Sequence, residues 1–258
     1  MMDFTKHNEE AWNKRVDTGC RWTLPASREE IARARSGEWN ILLTPQKPVP
    51  REWFPPLENA RILCLASGGG QQAPILAAAG ARVTVYDISR KQLDQDALVA
   101  QREHLSLEIC QGDMRDLGCF ADGSFDLIVH PCANHCVDDV AAVWRESYRV
   151  LRKGCSLLAG FTNPILYMID DDLAAREGVL QIRHAIPYSD LEHVQQRVLL
   201  DRLREKEVLE FGHSLEQLVG GQLAAGFVVT GFYEDSWGTG ELIDRYCSSF
   251  VATRALKP

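Results

Sequence analysis

The chain lacks any apolar run approaching the ~18 residues that a membrane-spanning helix needs. Its opening, "MMDFTKHNEEAWNKR", lacks the apolar centre of a secretory leader. Both absences predict a cytoplasmic protein with no membrane partner. Positive charge is in deficit, with 28 Lys and Arg against 36 Asp and Glu and a formal net charge of −8. An acidic surface repels phosphate backbones, which argues against a nucleic-acid partner. The densest basic stretch, "RVLLDRLREK" (197–206), also carries acids and reads as a solvated helix face. Eight cysteines are present but no C-x-x-C pair, and Cys64, Cys110 and Cys155 fall inside apolar runs. Free thiols are expected, not a disulfide framework. No metal is expected either. "HPCANHC" (130–136) crowds two His and two Cys too closely to wrap one tetrahedral ion. No oriented base marks Cys132 or Cys136 as a nucleophile.

Nucleotide signatures are also missing. There is no G-x-G-x-x-G and no Walker G-K-[ST], and Tyr148 is followed four residues later by Arg152, not by the lysine of a Tyr-x-x-x-Lys pair. These gaps weigh against a nicotinamide-dependent oxidoreductase, the first alternative reading. What is present is a chain of 258 residues, 45% of them apolar, enough for one large domain with a well-buried core. Residues 1–57 differ from the rest. "NEEAWNKRV" has helical character, "SREEIARARSGEW" opens on an S-x-x-E capping box, and "TPQKPVPREWFPPL" is an extended, proline-rich connector. Trp12, Trp22, Trp39 and Trp53 lie in this segment, which predicts an ordered cap.

From Arg61 onward, short β-rich runs alternate with helical stretches. "RILCLA", "RVTVYD", "LSLEIC", "FDLIVH" and "CSLLAGF" are strands, and "QQAPILAAAG", "RKQLDQDALVAQRE" and "VDDVAAVWRESYRVL" among them are helices. This alternation indicates a doubly wound parallel sheet. A polar insertion over 163–212 follows the fifth strand. "SLEQLVGGQLAAG" is then a helix, and "FVVTGFYED" and "SSFVATRA" form an antiparallel pair at the sheet edge.

The chemistry centres on "LCLASGGGQQAPILAAAGARVTVYD" (63–87). Gly68, Gly69 and Gly70 join a strand to a helix, allow positive φ, and let a ligand approach bare backbone. The following helix start offers free amides to an anionic group. Asp87 ends the next strand, where a carboxylate can accept both hydroxyls of a ribose. In "QGDMRDL" (111–117), Asp113 is placed to reach an adenine amino group, and Ile88 and Met114 to sandwich the ring. The residues alone thus indicate an adenosine-containing ligand with a small charged tail.

The ordered set "ILCLASGGG", "VYD", "GDM", "FDLIV" and "VWRESYRVLRKG" resembles class I S-adenosylmethionine-dependent methyltransferases over about Arg61 to Leu158, with the terminal strand pair as well. The resemblance implies a Rossmann-like, mostly parallel seven-stranded sheet with a terminal antiparallel strand. It implies S-adenosylmethionine as methyl donor and S-adenosylhomocysteine as product. Donor contacts are expected at Ala66, Ser67, Gly68, Gly69, Gly70, Gln72, Asp87, Ile88, Gly112, Asp113, Met114 and His130. The first motif departs from the family: Cys64 stands where an acid is usual, and Ala66 where the first glycine falls. Gln71 or Gln72 is the expected substitute. For the acceptor, taken to be a small molecule, the candidates are His130, Asn134 and His135 after the fourth strand and His184 and Tyr188 in the insertion, with His213, Trp12 and Trp22 nearby. The expected layout is one methyltransferase domain over 1–258: a cap (1–57), a cofactor-binding half (58–162), a substrate-side insertion (163–212), and a terminal helix with antiparallel strands (213–258). A non-catalytic adenosyl-ligand binder is the second alternative.

Overall fold

A computed structural model describes residues 3–258, without the side chain of Asp172. Seven strands form one sheet: β1 (Arg61–Leu65), β2 (Arg82–Asp87), β3 (Leu107–Gln111), β4 (Phe125–His130), β5 (Leu151–Thr162), and two late strands, Val228–Asp235 and Phe250–Leu256. A two-stranded ribbon in the insertion supplies β6 (Tyr188–Ser189) and β7 (Phe211–Gly212), so the late strands are β8 and β9. The sheet order is β3-β2-β1-β4-β5-β9-β8. β1 to β5 pair in parallel, and β9 runs antiparallel to both β5 and β8. The doubly wound, Rossmann-like sheet with a terminal antiparallel strand is therefore present as expected.

Helices cover both faces, which is why the central strands read as near-continuous apolar runs. Ile62, Cys64, Leu127 and Val129 pack beneath α3 (Gln72–Ala78) and α4 (Arg90–Glu103), in contact with Leu76 and Leu93. Leu63, Leu65 and Ile128 face the opposite side, against Val143 and Trp144 of α5 (Val140–Val150). Alternation along each strand assigns its residues to two separate cores.

The N-terminal segment holds α1 (Phe4–Asp17) and α2 (Arg28–Arg35). The capping box forms as read: the Ser27 hydroxyl accepts from the Glu30 amide at 3.2 Å, and the Glu30 carboxylate accepts from the Ser27 amide at 2.8 Å. The proline-rich connector crosses the sheet so closely that a Cβ on Gly160 would lie 2.1 Å from the Leu43 carbonyl. Trp53 packs against Tyr233 of β8, their ring centres 5.5 Å apart. Asp235 anchors the connector, accepting from the Thr44 hydroxyl (2.7 Å) and from the amides of Gln46 (2.8 Å) and Lys47 (2.9 Å).

The insertion carries α6 (Asp171–Glu177), α7 (Asp190–His193) and α8 (Gln196–Arg204) around the β6–β7 ribbon. α8 holds the basic stretch, and none of its residues is buried. One of them does turn inward: Arg202 pairs with the buried carboxylate of Asp190 at 2.6 Å. The last helical stretch is irregular, a π turn over Glu216–Gly220 that leads into α9 (Gly221–Ala224).

Candidate active site

One cavity of about 800 Å³ opens at the carboxyl ends of β1, β2 and β4, where open α/β sheets bind ligands. It runs from Asp87 and Met114 at one end to Tyr167, His184 and Tyr188 at the other. The cap supplies part of its wall, including Trp12 and Trp22.

The glycine loop is held in an unforeseen way. The Gly69 amide donates to Oε1 of Gln92 at 2.8 Å, and the Gly70 amide to Oδ1 of Asp96 at 2.9 Å. Both acceptors belong to α4 and are almost fully buried. Cys64 is fully buried beneath them, its thiol pushed up by burial and by the nearby charge of Asp96. An acid thus does serve this loop, but it arrives from α4. Gln71 and Gln72 tie the loop to the cap: Gln71 Nε2 donates to the Leu24 carbonyl at 2.9 Å, and Gln72 Oε1 accepts from the Leu42 amide at 3.3 Å.

Ala66, Ser67, Gly68, Gln72, Asp87, Ile88, Gly112, Asp113 and Met114 all line the cavity. Ala66 sits at φ 48°, a left-handed conformation that costs an alanine energy and that glycine adopts freely. Gly112 faces the Tyr86 ring, where an added Cβ would fall 1.9 Å from the phenolic oxygen. Gly69 and Gly70 lie behind the wall, their amides already bonded, and are corrected from ligand contacts to loop supports. The same bonds correct the expectation that these amides are free for an anionic group. His130 and Asn134 are corrected likewise. His130 is fully buried, with Nδ1 2.8 Å from the Leu65 carbonyl and Nε2 2.9 Å from Asn134 Oδ1. Asn134 Nδ2 in turn donates to the Gly160 carbonyl at 3.1 Å. His213 is buried too, its Nε2 facing the carbonyls of Asn134 (3.1 Å) and Val137 (2.9 Å). Asp113 reaches the cavity, yet both its oxygens accept from the Arg115 guanidinium, at 2.6 Å in the closest contact.

The residues present fit an adenosyl ligand. Burial raises Asp87 to about 6, against the opposing amides of Ser89 and Ile88. Ser67 borders the cavity, while its buried hydroxyl has no hydrogen-bond partner beyond the adjacent Cys64 thiol. The fit is a wall of backbone at Ala66 and Gly68, where no large side chain intrudes, and a carboxylate at Asp87 placed for hydroxyls.

At the far end, His135, His184 and Tyr188 line the wall together with Tyr167. Tyr188 stacks on Tyr167 at 5.6 Å and approaches His184 at 5.2 Å. Its hydroxyl donates to Asp190 at 2.7 Å; burial, then Asp190, keeps the phenol protonated. Burial holds His184 below the usual imidazole value. His135 is raised to about 9: burial opposes the charge, but the Cys136 sulfur and the Glu210 carboxylate override it. Gln92, Asp96 and Glu210 escaped the sequence reading. A signal for two of them existed: Gln92 and Asp96 occupy the buried i, i+4 stripe of α4, alongside Leu93 and Val99, where apolar residues are the rule.

Residues 63–159 match the model of a methyltransferase domain. The chain is 49% identical over 251 residues, 97% of both sequences, to the uncharacterized methyltransferase YbaJ of Bacillus subtilis. Among solved structures it is similar to an S-adenosylmethionine-dependent methyltransferase from Mesorhizobium loti (TM-score 0.60, 21% identity, covering 80% of this chain and 94% of that one). A second is a putative methyltransferase of the same kind from Listeria monocytogenes (TM-score 0.59, 15% identity, 88% and 99% covered). With this fold and the near full-length relative, the chain belongs to the class I S-adenosylmethionine-dependent methyltransferases.

Proposed function

We propose that the protein transfers the methyl group of S-adenosylmethionine to a small polar acceptor held by the insertion. The observation that carries this reading is the continuity of the cavity, which joins the glycine loop and Asp87 to the ring-lined wall of Tyr167, His184 and Tyr188. In this reading 1–258 acts as one methyltransferase domain, with cap 1–57, cofactor-binding half 58–162, substrate-side insertion 163–212 and terminal part 213–258. Asp87 accepts from the ribose hydroxyls, Ile88 and Met114 flank the adenine beside Gly112 and Asp113, and Ala66, Ser67, Gly68 and Gln72 border the rest of the donor.

The bound donor supplies an activated methyl on a sulfonium sulfur. The protein's task is then alignment and exclusion of water. The cap and insertion serve that task by walling the cavity. Glu210 lies beside the Tyr167 hydroxyl and His135, and is the carboxylate placed to hold a cationic acceptor or to take its proton. His184 and Tyr188 orient the acceptor. Incubating the purified protein with labelled donor and a cell-extract metabolite pool tests the reading: a labelled small molecule supports it, and label found only in protein or RNA overturns it.

A further inference from the structure

The last turn of α1 carries two cations, Lys14 and Arg15. Lys14 points outward to Glu205. Arg15 is half-buried and lines the cavity, its guanidinium carbon 4.7 Å from the centre of the Trp12 ring. The other arginines on the cavity wall are neutralised, Arg183 by Asp170 and Arg202 by Asp190. Among the described residues, no carboxylate lies within ion-pairing distance of Arg15. A partly desolvated guanidinium without a counter-charge is costly, and a bidentate anion relieves that cost.

Where that anion comes from follows from the loop. The Gly69 and Gly70 amides are taken by Gln92 and Asp96, so they are withheld from a ligand. The cap lies directly on this loop: the Trp22 carbonyl would sit 3.2 Å from a Cβ on Gly68, and Leu24 accepts from Gln71. A ligand anchored by Asp87 therefore carries its far end past Gly68 toward the ground between the cap and His135. Arg15 stands there, near enough to His135 to oppose its protonation.

We propose that Arg15 binds the carboxylate of the donor's methionyl tail, so that the N-terminal cap completes the donor site. This rests on the donor reading above. Two ligands separate the possibilities by calorimetry on the full chain. S-adenosylhomocysteine carries the amino-acid tail; 5′-methylthioadenosine keeps the adenosine and sulfur without it. Arg15→Gln is expected to weaken S-adenosylhomocysteine about tenfold or more, the scale of a lost charge-assisted hydrogen-bond pair, and to leave methylthioadenosine unchanged. Arg15→Lys falls between. Retained methylthioadenosine binding also reports that the variant is folded. Equal loss for both ligands, or no loss for S-adenosylhomocysteine, overturns the assignment, the second result moving Arg15 to an acceptor anion. Wild-type protein that binds neither ligand overturns the donor reading itself, and this assignment with it.

Discussion

The Gly70 amide donates to the buried Asp96 carboxylate at 2.9 Å, so a side chain from α4 holds the loop whose own motif has lost its acid. Asp96→Ala strands a buried N–H and is expected to cost about 1–3 kcal/mol of stability, read by denaturant unfolding. Asp96→Asn keeps an acceptor and costs less. The amide oxygen of asparagine can accept the Gly70 N–H as the carboxyl oxygen does. If the alanine variant is as stable as wild type, the bond does not hold the loop.

Asp87 makes donor binding pH-dependent. Ribose hydroxyls need its ionised form, and burial raises the free carboxyl to about 6. S-adenosylhomocysteine affinity should therefore fall as pH drops through 6 and level off above it. Asp87→Asn should flatten that slope and weaken binding by about 1.5–3 kcal/mol at neutral pH. Folding runs the other way. The folded state holds this proton more tightly than the unfolded chain does between 3.8 and about 6, so this group makes the ligand-free protein more stable as pH falls across that window. Calorimetry from pH 5 to 8 checks the first claim, and unfolding curves the second.

Asn8 clamps the cap. Its buried amide donates to the carbonyls of Leu209 (3.0 Å) and Cys136 (3.1 Å) and accepts from the Leu209 amide at 2.9 Å. Asn8→Ala should cost about 1–3 kcal/mol and loosen residues 3–50. Their protection from protease should rise when product is bound. Unchanged protection makes the segment a static support instead of a gate.

His184→Phe and Tyr188→Phe should alter turnover with the acceptor while leaving S-adenosylhomocysteine affinity within about 0.5 kcal/mol, the scatter for changes away from a site. Loss of product binding in both variants would place the donor site in the insertion. Unchanged turnover would move the acceptor role to His135 and Glu210.

Much of the fold was legible because period and punctuation act locally. The alternation of "RVTVYD" with helical stretches, the Ser27 capping box and the glycines after β1 each depend on neighbours a few residues away. Part of the cavity wall was legible for the same reason. Gly68, Asp87 and Met114 follow strand ends whose position a sheet dictates. His130, Asn134 and His213 were misplaced because a polar residue reads alike whether it faces a ligand or satisfies a buried carbonyl. His130 meets the Leu65 carbonyl, a partner 65 positions away.

By itself the sequence determined the sheet, its two buried faces and the carboxylate at the end of β2, since strand periodicity and turn chemistry are properties of short segments. Tertiary structure decided how the loop is held and what walls the cavity. Gln92 and Asp96 reach Gly69 and Gly70 across 23 and 26 residues, and Asn8 reaches Leu209 across 201. Such partners are chosen by which buried groups would otherwise go unsatisfied once the chain has collapsed, and only the packed fold brings those groups face to face.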